Sequence, residues 1–182
     1  NIAKEDPAAD LNKITADFAT KAKQATEMLK GKDYQVALPE ERRGLLRHEV
    51  WEDVPGYDLQ SLTSHSKFKS GSPDSAGHLR SVQSPVNVGD NFGRKISGIL
   101  VPPQDGDYLF WLYADDECIL KLNTAGENPS NAKEIIRVSP YAEADWVKAL
   151  KSRPVSLRKD KRYYLEVLHK EGGGDDFCAA GW

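Results

Sequence analysis

The chain is 182 residues long, 39% hydrophobic, 9% aromatic and 29% charged, enough apolar material for one packed domain with an appended element. Lys and Arg total 25 against 28 Asp and Glu, a net charge of -3 with the signs interspersed. No basic stripe is present to neutralise a row of phosphates, so neither nucleic acid nor an anionic membrane surface is an expected partner.

The opening Asn1-Ile2-Ala3-Lys4-Glu5-Asp6 is polar from its first residue, unlike a signal peptide. With the abrupt Ala180-Gly181-Trp182 at the other end, it is expected of a mature or excised fragment. Next, Leu11, Ile14, Phe18, Ala22, Ala25, Met28 and Leu29 recur at helical spacing and share one face. Asp10 can cap that helix and Gly31 can end it. Segment 1–43 is therefore expected to be a helical connector, or a docking element for a partner.

From Gly44 the pattern changes to short apolar runs separated by Gly, Pro, Asn and Asp. Leu45–Trp51, Arg94–Val101, Tyr108–Ala114, Cys118–Leu122, Glu134–Val138, Val155–Leu157 and Arg162–Leu168 read as strands. Turn signals such as Pro102-Pro103, Asp105-Gly106 and Asn128-Pro129 lie between them. Short strands joined by turns predict a mainly β domain over 44–182, a sandwich or a barrel. Tyr108, Phe110 and Leu112 alternate with Leu109, Trp111 and Tyr113, all apolar, so that strand is expected at the centre, covered on both faces. Trp111 and Trp182 are expected in the core. The longest apolar run, around Tyr108 to Ala114, is far below the roughly 20 residues of a spanning helix, so membrane insertion is not expected.

Two acidic loops stand out. Asp115-Asp116 ends one apolar strand and precedes another, and adjacent carboxylates repel unless a cation or hydrogen-bond donors compensate them. Calcium, which takes about 6–8 oxygen ligands in flexible geometry, suits such a pair, although an Asp-rich hairpin turn is equally compatible. In Glu171-Gly172-Gly173-Gly174-Asp175-Asp176, the glycines let backbone carbonyls approach a ligand, and the carboxylates at either end can complete a cation site. A hairpin tip carrying solvated acids is the plainer alternative. Tyr141 and Trp146 lie in the long excursion between strands and are candidates for stacking against the apolar face of a ligand. Cys118 and Cys178 are either a disulfide, in a secreted protein, or two small core residues. His48, His65, His78 and His169 are scattered singly and read as surface or satisfied residues. No phosphate loop, zinc-spaced Cys/His set or nucleophile elbow occurs, and the chain is not expected to be an enzyme.

Five separated motifs resemble the protective-antigen domain family, the β-sandwich module named for the amino-terminal fragment of anthrax protective antigen. They are Trp51 with Pro55-Gly56-Tyr57-Asp58-Leu59-Gln60-Ser61-Leu62; Asn91-Phe92-Gly93-Arg94-Lys95-Ile96-Ser97-Gly98; Pro102-Pro103 with Gly106-Asp107-Tyr108-Leu109-Phe110-Trp111; Ala114-Asp115-Asp116 with Leu120-Lys121-Leu122; and the stretch from Tyr163 to Asp175. They stand in the family's order over about Gly44 to Trp182, with the spacing of modules in large secreted bacterial proteins. The resemblance implies a jelly-roll-like antiparallel β-sandwich whose loops hold a glycan at one end. It also implies that Asp115 and Asp116 form a cis-linked pair coordinating calcium, which in turn ligates sugar hydroxyls. A later loop completes the site. The adhesin members use an asparagine near the position of Lys170, and a lysine cannot ligate a metal, so Asp175 or Asp176 is expected to stand in. If the strand after the aspartates lies beside the last strand, a Cys118–Cys178 disulfide would pin the roots of both loops. The expected role is a carbohydrate-binding module, calcium-assisted, in a larger extracellular, periplasmic or cell-surface protein, binding a glycan or polysaccharide. The alternative is a spacer or protein-interaction module of such a protein.

Overall fold

The computed structural model describes residues 44–142, 145 and 147–182. The helix expected in segment 1–43 and the candidate Trp146 lie outside the described residues. The remainder is an antiparallel β-sandwich, as expected.

One layer is a six-stranded sheet. In chain order its strands are β1 (Leu46–Trp51), β2 (Ser75–Leu79), β3 (Phe92–Leu100), β6 (Cys118–Leu122), β7 (Lys133–Val138) and β11 (Tyr163–Glu171). Across the sheet the order is β2-β1-β3-β11-β6-β7. The other layer is built on β5 (Trp111–Asp115), flanked by β12 (Phe177–Gly181) on one side and by the two-residue strands β8 (Tyr141–Ala142) and β9 (Leu150–Lys151) on the other. A separate ribbon pairs β4 (Gly106–Tyr108) with β10 (Val155–Leu157).

Period-two alternation explains the core. Ile96 and Leu100 of β3, Cys118, Leu120 and Leu122 of β6, Ile136 and Val138 of β7, and Tyr163, Leu165 and Val167 of β11 face inward. They meet Leu112 and Ala114 of β5 and Cys178 of β12, all essentially buried. Fully burying one such side chain is worth about 1.5–3 kcal/mol.

The outer face of the six-stranded sheet carries a second apolar cluster. Trp51, Ile119 and Leu168 are covered there by Leu59 and Leu62 of helix α1 (Leu59–Ser64) and by Phe68 of the short α2 (Ser66–Lys69). The α1 start is set by Asp58, whose side chain accepts the Ser61 N–H at 2.8 Å. Gly93 of β3 lies so close beneath Leu62 that a Cβ there would sit 2.3 Å from Leu62 Cδ1. That approach explains the glycine.

Two expectations are corrected, and one pair of alternatives is narrowed. The stretch Tyr108–Ala114 is two strands, β4 and β5, which enter different sheets. Its second part is central by pairing but not covered on both faces: Phe110, Leu112 and Ala114 are buried, while Trp111 and Tyr113 are half-buried. Trp182 is 51% exposed and touches the core only through its edge contact with Phe110, because it follows the last strand rather than lying in it. Of the two readings of the cysteines, the structure has the second: Cys118 and Cys178 are free and fully buried. They pack as small core residues, and the Cys178 N–H donates to Ser84 Oγ at 2.9 Å.

Candidate metal centre and glycan site

The ends of β5 and β11 meet at one tip of the sandwich. β5 ends on Asp115, the Asp115–Asp116 peptide is cis as the resemblance implies, and β6 begins at Cys118. β11 pairs with β6, His169 opposite Cys118, so its last residues run alongside the aspartate pair. One carboxylate oxygen from each of Asp115, Asp116 and Glu171 lies within 4.8 Å of the others. The Asp116 N–H donates to Glu171 Oε2 at 3.2 Å, and the Gly172 N–H donates to Asp116 Oδ2 at 2.9 Å.

Glu171 is wholly buried, and its Oε1 has no hydrogen-bond partner. An ionised oxygen left so is costly, since burial removes its water and nothing replaces it. Burial, followed by the charges of Asp116, Asp176 and Asp115, pushes the Glu171 carboxyl up to about 7. Burial and the adjoining Asp116 push Asp115 up to about 6, with Asp175 adding to the effect. Burial first, and then the crowding of negative charges, favours the protonated form of each acid.

Below them lies His169, fully buried. Its Nε2 donates to the Asp115 backbone carbonyl at 2.7 Å, which fixes the proton on Nε2 and leaves Nδ1 the acceptor nitrogen, without a partner. Burial and the nearby Arg94 hold its pKa down to about 3, so the ring is neutral. Lys170 points to the opposite face, its ammonium buried and donating to the Glu171 backbone carbonyl. Burial lowers its pKa, opposed by Glu171, Asp116 and Asp58.

A buried charge pair secures the loops. Arg94 Nη2 meets Asp176 Oδ1 at 2.5 Å, both side chains almost fully buried, and Arg94 Nη1 donates to the Pro85 carbonyl at 2.8 Å. Asp176 Oδ2 also accepts the backbone N–H groups of Val88 and Gly89. Asn87 exchanges two hydrogen bonds with Asp176, and the Asn91 N–H donates to the Gly172 carbonyl at 3.1 Å. Residues 85–91 are thereby fastened to the glycine loop.

The donor set is all oxygen. A hard divalent cation is what it fits, and three carboxylate oxygens spread over 4.8 Å match an ion with metal–oxygen distances of about 2.4 Å. Of the candidates, Asp115, Asp116 and Glu171 come together. Asp175 is exposed beside them, and Asp176 is corrected, since its carboxylate is consumed by Arg94 and two backbone N–H groups. Gly172 contributes its N–H rather than its carbonyl, which Asn91 occupies; Gly173 and Gly174 are exposed. Tyr141 stands in register opposite Asp115 and is 59% exposed. On the other flank Phe177 is the register partner of Asp115, its ring 5.8 Å from that of Tyr113.

No family model matches the chain. It is similar, 28% identical over 155 residues, to mouse N-acetyl-beta-glucosaminyl-glycoprotein 4-beta-N-acetylgalactosaminyltransferase 1, covering 79% of this chain and 14% of that protein. It is 26% identical over 132 residues to mouse fibrocystin-L, 69% of this chain and 3% of that one. The chain thus spans only a small part of these relatives' length. Among solved structures it resembles the PA14 sugar-binding domain from an RTX adhesin, with TM-score 0.54 and 15% identity over 75% of this chain and 89% of that one. The PA14 domain of the antifreeze protein MpAFP matches at TM-score 0.56 and 11% identity, over 75% and 82%. The fold is PA14-like. PA14 is the protective-antigen family of the sequence motifs. The A domain of epithelial adhesin 9 from Candida glabrata, solved with Galb1-3GlcNAc, has TM-score 0.52 and 13% identity, over 79% and 83%.

Sequence reasoning missed His169 and Arg94 as parts of this PA14-like tip. Their signal was parity: both stand at inward positions of strands whose other inward residues are apolar.

Proposed function

We propose that this chain is a non-catalytic carbohydrate-binding module of a larger extracellular protein, with calcium held by Asp115, Asp116 and Glu171. The observation that carries the reading is the buried Glu171, whose Oε1 is unpartnered and whose carboxylate has an oxygen within 4.8 Å of one from each of Asp115 and Asp116. Calcium bound there would leave coordination positions for a pair of sugar hydroxyl oxygens. The protein's own part is to fix the carboxylates. His169 holds the Asp115 carbonyl, the Gly172 N–H orients Asp116, and the Arg94–Asp176 pair anchors the loop that follows. Tyr141 beside Asp115 offers an open ring face for a sugar.

The PA14 domain of the RTX adhesin, described as sugar-binding, and the epithelial adhesin domain solved with a disaccharide support this reading. They also favour a cell-surface, extracellular or periplasmic setting. The small fraction of each relative that the chain covers supports a module of a longer polypeptide. No helix among the described residues is long and apolar enough to cross a membrane.

The test is a calcium titration by calorimetry, followed by retention on a glycan array with calcium and with EDTA. Calcium-dependent retention, lost together with calcium binding in Asp115→Asn/Asp116→Asn, is expected. Retention indifferent to EDTA, or calcium binding undiminished in the double variant, would refute the proposal.

A further inference from the structure

Tyr57 is among the most exposed aromatic side chains described, at 68%, yet its ring is not loose in solvent. One side of it lies on the backbone of Gly172: a Cβ built there would come within 2.2 Å of Cδ1, 2.5 Å of Cε1 and 2.8 Å of Cγ. Gly172 is the residue that follows Glu171 and whose N–H holds the Asp116 carboxylate. The glycine thus seats an aromatic ring one residue along the chain from Glu171. Tyr57 precedes Asp58, the cap of α1, so its backbone is fixed by the helix start.

The rim has a definite charge. Asp90 Oδ1 accepts the Gly174 N–H at 3.3 Å, and Asp90 and Asp175 are both exposed, with no ion pair among the described residues. Two cations close to this tip are engaged and buried, Arg94 with Asp176 and Lys170 with the Glu171 carbonyl. One calcium ion and the buried Lys170 ammonium together match the three charges of Asp115, Asp116 and Glu171, and the exposed Asp90 and Asp175 add two more. The surroundings therefore stay negative after loading.

We infer that Tyr57 is a sugar-contacting residue, and that the acidic rim restricts the occupant to neutral glycans. The inference rests on the calcium-assisted reading above. An apolar pyranose face stacks on the ring while vicinal hydroxyls reach the metal position. Sialylated, sulfated or uronate-bearing glycans meet Asp90 and Asp175, which have no ion-pair partner among the described residues, and like charges at short range disfavour them.

The experiment uses the wild-type chain, Tyr57→Ala and Tyr57→Phe. Calcium alone is titrated by calorimetry, and retention is measured on an array carrying neutral glycans and their sialylated, sulfated and uronate-bearing counterparts. Expected results are calcium affinity within about twofold of wild type for both variants, and a loss of neutral-glycan retention of about fivefold to tenfold in Tyr57→Ala. Tyr57→Phe, which keeps the ring, should retain the glycan, and the acidic counterparts should bind the wild type less well than the neutral ones. Wild-type retention of neutral glycans that is unchanged in Tyr57→Ala, or equal retention of acidic glycans, overturns this inference and leaves the calcium reading standing. A wild type that binds no calcium, or no glycan of any class, overturns both.

Discussion

The Nε2–H of His169 is held by the carbonyl of Asp115 at 2.7 Å, so a neutral imidazole from the core face of β11 braces the first aspartate of the pair. The pKa of this histidine is held down to about 3, below its ordinary value of 6.5. The unfolded chain therefore takes up a proton that the folded chain refuses. The stability His169 contributes is complete above about pH 6.5 and is lost as pH falls toward 3. His169→Gln, which can still donate to the carbonyl but does not titrate, should flatten that part of the decline. Urea midpoints between pH 7.5 and 4.5 in EDTA would show it.

Glu171 and Asp115 act in the opposite sense. Their folded pKa values, about 7 and about 6, lie above their ordinary ones, so the metal-free fold holds protons the unfolded chain releases. They favour the metal-free fold as pH drops below about 7 and disfavour it above. Calcium must displace those protons, so its affinity should fall between pH 7.5 and 5.5, with proton release visible when calorimetry is repeated in buffers of different ionisation enthalpy. Glu171→Gln should raise the metal-free melting temperature by a few degrees, about 1 kcal/mol, and weaken calcium by about tenfold or more.

Breaking the Arg94–Asp176 pair should be severe. Arg94→Met strands a buried carboxylate, a loss of about 3–5 kcal/mol. Chemical denaturation would read this directly, and amide exchange at Val88 and Gly89 should accelerate, because Asp176 accepts from both.

Gly93→Ala should cost about 1–3 kcal/mol, since its Cβ would overlap Leu62 in a packed cluster. Combining it with Leu62→Ala should cost less than the sum of the two single changes, as both alter the same space. Strict additivity in a double-mutant cycle would contradict the close approach described.

The strands were legible wherever alternation was strong. Tyr163, Leu165 and Val167 announced β11, but the polar run His169-Lys170-Glu171 concealed its last three residues, which the ladder with β3 continues to Glu171 opposite Phe92. Carrying the odd-residue parity onward would have pointed His169 into the core and Glu171 toward the acids. Instead the third carboxylate was sought at Asp175 and Asp176. No local pattern in Asp176 reveals that it is claimed by Arg94, 82 residues earlier. β12 was missed because Phe177-Cys178-Ala179-Ala180-Gly181 has small residues and no alternation. The Asp115-Asp116 pair was found through the resemblance, since its acidity alone suits a turn equally well.

The strand that ends on Glu171 is not at the edge of its sheet. β11 is zipped to β3 over nine residue pairs and to β6 over five. Tension on a captured ligand would therefore enter the molecule through its best-supported strand. Detachment by force would have to shear two ladders together instead of peeling one free end, so the grip at this tip should fail by releasing the ligand before the sandwich tears.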